Sequence, residues 1–389
     1  MGLETVAKIS DLNTAWPSVS DGFTQGDDHL RNIKVAATAC VSDSLRYATA
    51  PNKIINGGID ISNRGTSFAA IASGAYGPDQ WRYYASGTSG VGTLSQQADA
   101  PSDNEFQNSL RFTVTTADAA IAAGDVAALE QPIEGYFVRD LIGRDAVCAF
   151  RVRSAKTGTH CVSFSNSAND RSFIATYTVN AANTWETKFV TIPAGLITAG
   201  TWNWANGTGL KARFCLAAGS TFQAAAGAWQ TGNFLATSAQ VNCLDTIGNV
   251  FAVTGVELKA GLFPGAYDHR SSILEQVMCE RYLPITDTDS LPAQAVATTI
   301  ARIPVSFRVP ARIAPTGVTL SAALSSYFVS NAGGSLTALT SGALIRYTSG
   351  IGGGMLEATT ASAVLTAGNA SSLYLNSGAK VLWTGAELP

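Results

Sequence analysis

The run Cys148-Ala149-Phe150-Arg151-Val152-Arg153 puts Cys148, Phe150 and Val152 on one side and both arginines on the other. A period of two belongs to a half-buried β-strand and to no helix. Similar strand-like runs occupy residues 110–115, 136–139, 160–165, 173–179, 188–192, 210–216 and 250–258. One sheet cannot bury its apolar face alone, so these runs, with residues 146–153, predict two packed sheets. Their number and spacing predict a jelly-roll β-sandwich over residues 106–270.

Three other segments flank it. In residues 1–50, Leu30, Ile33, Ala37 and Cys40 recur at helical spacing behind Thr24-x-x-Asp27, a capping pattern. The seam is short, so this helical anchor needs a partner surface. Residues 51–105 are broken by Gly and Pro and read as a β connector, with Trp81-Arg82-Tyr83-Tyr84 as one strand. Residues 271–389 open with the capping box Ser272-x-x-Glu275. Leu274, Val277, Met278 and Tyr282 follow on one helical face, and Pro284 stops it. A β-rich distal domain comes next, with no charged residue between Arg312 and Arg346. The predicted fold class is therefore mainly β: a short N-terminal helical anchor, a jelly-roll β-sandwich, a bridging helix and a β-rich C-terminal domain.

Charge and cysteine usage exclude several functions. Charged residues make up 14% of the 389 residues, and the net charge is −3. With no basic tract, the chain cannot neutralise phosphates as a nucleic-acid binder does. No apolar run approaches the ~20 residues of a membrane span, and the first residues lack the pattern of a secretory signal. Cys40, Cys148, Cys161, Cys215, Cys243 and Cys279 form no CxxC and stand near no histidine at zinc spacing. They read as buried thiols of a reducing compartment. Gly352-Gly353-Gly354 lacks the Lys-Ser/Thr of a phosphate loop. No metal or cofactor is expected.

The residues that bear chemistry are few. His160 and Cys161 are strand neighbours and point to opposite faces, which makes a poor dyad; His160 reads as an exposed strand histidine. His269 lies in a loop without a partner motif. Asp140, Asp145, Asp170 and Glu186 are the carboxylates from which a glycosidase pair would have to come. Trp202-Asn203-Trp204-Ala205-Asn206-Gly207 gathers two indoles and two amides in one loop or strand end. Indole faces stack on sugar rings and amides bond hydroxyls, so Trp202, Trp204 and Asn206 are candidate glycan-binding residues. The competing reading packs the two indoles in a core. Trp81, Trp185 and Trp229 are assigned to cores or inter-chain contacts.

Three separated stretches resemble bacteriophage virion fibre and tail-appendage proteins. Asp21-Gly22-Phe23-Thr24-Gln25-Gly26-Asp27-Asp28-His29-Leu30-Arg31-Asn32-Ile33-Lys34 is similar to their N-terminal GDDHxRxIK segment. Ile133-Glu134-Gly135-Tyr136, Phe150 to Ser154 with Thr157-Gly158-Thr159, Asn183-Thr184-Trp185-Glu186 and Ile247 to Glu257 resemble their jelly-roll module, itself similar to carbohydrate-binding modules. Cys279-Glu280-Arg281-Tyr282, followed by Val309 to Thr316, resembles their "CQRYY … MRxxPT" ending, with Glu280 where Gln is usual and a looser 309–313. Residues 51–105 and 317–389 are not covered. The resemblance implies a structural appendage of a tailed-phage virion, assembled in the host cytoplasm. It implies a homotrimer held by its N-terminus, through Trp16, Asp27, Asp28, His29, Arg31 and Lys34, to portal, neck, tail or capsid protein, with host-surface glycan as a possible ligand. The rivals are a tail-associated polysaccharide-degrading enzyme and a head or neck decoration fibre that binds no receptor.

Overall fold

The computed structural model describes residues 50–103, 105–195 and 199–389, and of residues 340–343 the backbone alone. The expected attachment residues Trp16, Asp27, Asp28, His29, Arg31 and Lys34 lie outside the described residues, as does Cys40.

The first half of the described chain is a β-sandwich of two six-stranded sheets. One sheet has the order β1 (Ser67–Phe68), β3 (Val91–Gln97), β4 (Ser109–Thr116), β12 (Val250–Ala260), β6 (Ala146–Ser154), β9 (Glu186–Ile192). The other has the order β11 (Trp229–Thr231), β8 (Arg171–Val179), β7 (Gly158–Asn166), β10 (Thr208–Ala218), β5 (Val126–Glu134), β2 (Arg82–Ser86). Their inner faces meet in an aromatic core. Phe150 contacts Phe214 edge-on at 4.9 Å, and Tyr83 stacks on Phe112 at 5.0 Å. Each such ring contributes roughly 1.5–3 kcal/mol by leaving water.

Several local expectations are corrected. The segment read as a connector supplies β1, β2 and β3 to these sheets, and β3 pairs along β4 across residue 105. Residues 136–139, expected as strand, instead form a helical turn, Gly135–Val138, continued by Arg139–Leu141. Strand β5 has no period-two signal because every residue in it is buried. Its far side lies under the 219–249 segment, where Leu235 and Ala236 pack against Ala128, Cys161 and Cys215. His160, expected at the surface, is fully buried. It points into the core between Tyr177 and Phe251, with its Nε2 2.9 Å from the Lys156 carbonyl. All five described cysteines are buried free thiols.

The helix Ser272–Glu280 is capped one residue earlier than expected, by Ser271, whose hydroxyl accepts from Leu274 N at 3.3 Å. Its buried face keeps Met278 and Tyr282, as expected, but not Leu274. Leu274 is 47% exposed, while Glu275, Cys279 and Glu280 are buried. Glu275 turns inward because partners wait there: it accepts from Asn56 N at 2.7 Å and from Arg270 at 2.9 Å. A charge so matched can be buried where an unmatched one cannot.

Beyond the helix, six strands close into an antiparallel barrel in the order β14 (Ser290–Ala295), β15 (Ile300–Ser306), β19 (Gly353–Thr360), β18 (Leu336–Gly350), β17 (Tyr327–Ser330), β20 (Ala370–Leu375). A small sheet, β13 (Ile285–Thr286), β21 (Val381–Thr384), β16 (Gly317–Leu320), lies beside it. Trp383 is fully buried with the barrel core and donates to Thr286 Oγ1 at 3.1 Å. The segment after β21 returns to the sandwich. Tyr76 and Arg82 donate to the Leu388 carbonyl at 2.8 and 3.2 Å, and Arg312, between β15 and β16, binds the carbonyls of Ala386 and Glu387 at 2.7 and 2.6 Å. The described protein is thus mainly β. Among the described residues no helix is long and apolar enough to cross a membrane.

Candidate functional site

The connection from β9 to β10 carries Trp202, Trp204 and Asn206, and its backbone is pinned from two sides. Gly135 N and Tyr136 N, in the helical turn, donate to the carbonyls of Gly207 and Ala205 at 2.9 and 3.0 Å. Arg139 Nε donates to the Trp204 carbonyl at 2.7 Å, and Arg312 donates to that of Asn206 at 2.9 Å. Gly135 permits this approach, because a Cβ there would collide with the Asn203 carbonyl. With the main chain tied, the side chains are presented in one arrangement.

The three indoles form a row. Trp229 meets Trp202 at 5.8 Å and 70°, and Trp202 stacks on Trp204 at 5.3 Å and 10°. The Trp202 Nε1 donates to Ala199 O at 2.8 Å, and the Trp229 Nε1 to Pro193 O at 3.0 Å. Trp202 and Trp204 pack against the sandwich core but are only half-buried, so the structure places them between the two readings drawn from sequence. Trp204 ends the row. Two residues on, Asn206 is exposed, whereas the Asn203 side chain folds back to accept from Ala205 N at 2.8 Å. Next to this loop, Arg139 lies over the Tyr136 ring at 4.7 Å, and Tyr136 is 48% exposed. Sequence reasoning missed Tyr136 and Arg139 by assigning them to a strand; Gly135 just before them was the available sign of a turn. Indole, phenol, guanidinium and amide together suit a polar ring with an apolar face.

The remaining tryptophans divide. Trp81 is in the core, while Trp229 and Trp185 are half-buried, the latter with Arg153 5.6 Å from its ring.

Other candidates for chemistry are engaged in structure. Cys161 faces away from His160, which instead lies 3.9 Å from Cys243 Sγ. Burial pushes the Cys243 thiol up to about 12 and the His160 imidazole below its ordinary value, so neither is poised to ionise near neutrality. Asp140 binds Lys53 at 2.6 Å, and Asp145 accepts from Ala194 N at 2.9 Å. Asp170 is held below the usual carboxylate range by the Asn166 amide and by Thr201 N, and closes a loop. Glu186 binds Lys188 at 2.7 Å and organises the turn before β9. His269 lies 3.6 Å from Glu105. Among the described residues no group of three His, Cys, Asp or Glu is placed to hold a metal ion.

No protein-family model matches this chain, and no curated protein does. Solved structures are similar to it in fold. The enzymatically active domain of bacteriophage CBA120 tailspike protein 4 is 13% identical, over 54% of this chain and 21% of that one, with a TM-score of 0.30. A module named TmCBM61, solved with β-1,4-galactotriose, is 10% identical over 54% of this chain and 99% of its own, with a TM-score of 0.28. The family 11 carbohydrate-binding module of a Clostridium thermocellum cellulase is 11% identical over 51% of this chain and 97% of its own, with a TM-score of 0.27.

Proposed function

We propose that this protein is a structural appendage of a tailed-phage virion that adheres to host-surface glycan through the Trp204 platform. The observation that carries the adhesive part is the half-buried Trp202–Trp204 stack, on a loop that also exposes Asn206 and whose backbone is already tied. A preformed aromatic surface costs little ordering on binding. The virion part is supported by the N-terminal, central and CERY stretches described above. We read the role as binding rather than catalysis, a reading supported by the local bonds of Asp140, Asp145, Asp170 and Glu186. The chain works as a homotrimer; exposed Leu336, Ile345, Tyr347 and Ile351 on β18 and its hairpin supply apolar surface for packing between copies.

The test uses the purified full chain as a competitor of phage adsorption to host cells. Wild type is expected to block adsorption, and Trp204→Ala to lose that capacity while retaining its melting temperature within a few degrees. Equal competition by the variant would exclude the platform. Deleting residues 1–50 is expected to leave virions without the protein; recovery of the truncated protein on particles at wild-type stoichiometry would exclude the anchor.

A further inference from the structure

A second cleft, of about 400 Å3, opens between the loop that enters β4 and the segment 264–272 that leaves β12. Its wall is Phe106, seated by a bulge: the β12–β6 register shifts between Thr254 and Glu257, and Gly255 there takes a φ of +57°. A Cβ on Gly255 would stand about 2.5 Å from the Phe106 ring, so the glycine makes the seat. On the far side of Phe106 a hollow of about 230 Å3 continues along the sheet past Arg151 and Lys188. Tyr267 meets Phe106 edge-on at 4.9 Å, and His269, 56% exposed, stacks on it at 5.7 Å and 27°.

The polar groups around these rings are unequally occupied. Glu275 is matched by Arg270 and Asn56 N, and Glu105 is bound by Arg151 at 2.6 Å. The Asp60 carboxylate has only the Asn108 amide at 3.2 Å and forms no ion pair among the described residues. Tyr267 and the exposed Gln107 line the cleft, and neither the Tyr267 hydroxyl, which stands against Gly57, nor the Gln107 amide has a hydrogen-bond partner among the described residues. Aromatic faces, one unmatched carboxylate, a hydroxyl and an amide around a cavity of this size make the donor and acceptor set of a polyol site. With Glu275 and Glu105 paired to arginines, the unmatched Asp60 carboxylate repels an acidic ligand.

We infer that this cleft is a second saccharide site, selective for neutral sugars, which the Trp204 platform neither forms nor requires. The inference stands if the platform reading fails, and the experiment separates the two. Calorimetric titrations of the full chain carrying Trp204→Ala would use galactotriose, mannotriose and cellotriose, with trigalacturonate as the acidic probe. At least one neutral trisaccharide is expected to bind the Trp204→Ala chain. Adding Asp60→Asn and Tyr267→Phe, or Gln107→Ala at the surface, should weaken it about tenfold, the value of one lost hydrogen bond near its upper range. Melting should not change. Failure of all three neutral probes to bind, unchanged affinity in the added variants, or equally tight trigalacturonate binding would overturn the assignment. A difference between wild type and Trp204→Ala reports on the platform alone.

Discussion

Arg281 lays a two-pronged bond on Glu134, Nε to Oε2 at 2.8 Å and Nη2 to Oε1 at 2.6 Å, and the Tyr282 hydroxyl donates to the same carboxylate at 2.7 Å. Glu134 ends β5 and is fully buried, and Arg281 follows the Ser272–Glu280 helix. Two stretches singled out from sequence, Ile133-Glu134-Gly135-Tyr136 and Cys279-Glu280-Arg281-Tyr282, are therefore halves of one joint. It fastens β5 of the sandwich to the end of the helix, while Tyr76–Leu388 and Arg312–Asn206 join the later segments to the sandwich separately.

Arg281→Ala leaves that carboxylate buried with a hydroxyl as its remaining side-chain partner. The expected loss is about 3 kcal/mol, read as a lower urea midpoint with an unchanged slope.

The two stacked indoles should respond differently to truncation. Trp202 touches both neighbours in the row, so Trp202→Ala should cost about 2–4 kcal/mol of stability. Trp204→Ala should cost about 1 kcal/mol of stability and remove roughly 1–3 kcal/mol of glycan binding. Paired melting curves and binding titrations check both values.

Glu186 links stability to pH. Burial by itself would raise its carboxyl; bonds from Lys188, Ala181 N, Asn180 N and the Asn180 amide outweigh that and bring it from 4.5 down to about 2. A carboxyl whose folded pKa lies below its unfolded one stabilises the fold above the unfolded value. That contribution fades as pH falls through the folded value. Wild type should therefore exceed Glu186→Gln in melting temperature at pH 7, and the gap should close between about pH 4.5 and 2. A gap that persists at pH 2 would assign the effect to side-chain shape.

Gly255→Ala should destabilise by about 2–4 kcal/mol, through strain at positive φ and collision with the Phe106 ring. Thermal unfolding of the variant provides the measurement, and Phe106→Ala in the same chain should relieve the collision component.

If the exposed residues of the β18 hairpin pack against other copies, wild type should sediment near three times 40.4 kDa. Ile345→Glu with Ile351→Glu should shift it to the monomer, because two charges would be buried unpaired in such a contact.

What was legible from the chain depended on whether one face of a strand met water. β6 has one face in the core and the other bearing Arg151 and Arg153, so its burial alternates and so does its sequence. β5 is covered on both sides, and nothing in Val126 to Glu134 alternates. His160 was misplaced for the same reason: a polar residue in a strand reads as outward unless the carbonyl and rings awaiting it are known. The Ser272–Glu280 helix is legible from its cap pattern, and Met278 and Tyr282 do face inward, but Glu275 is buried where the pattern expects Leu274, because Glu275 is matched by Asn56 and Arg270, residues distant from it or on another element.

The site divides similarly. Trp202, Trp204 and Asn206 are adjacent in sequence, and side-chain type alone marked them out. Tyr136, Arg139 and Arg312 join that loop only through hydrogen bonds from other segments, and the Phe106–Tyr267–His269 cleft gathers residues from two loops. Local periodicity and residue chemistry determined the mainly-β class, the sandwich and the bridging helix, because near neighbours in the chain set strand alternation and caps. Tertiary structure alone decided which polar residues are buried and which aromatics share a surface, because those outcomes rest on partners that sequence distance does not encode.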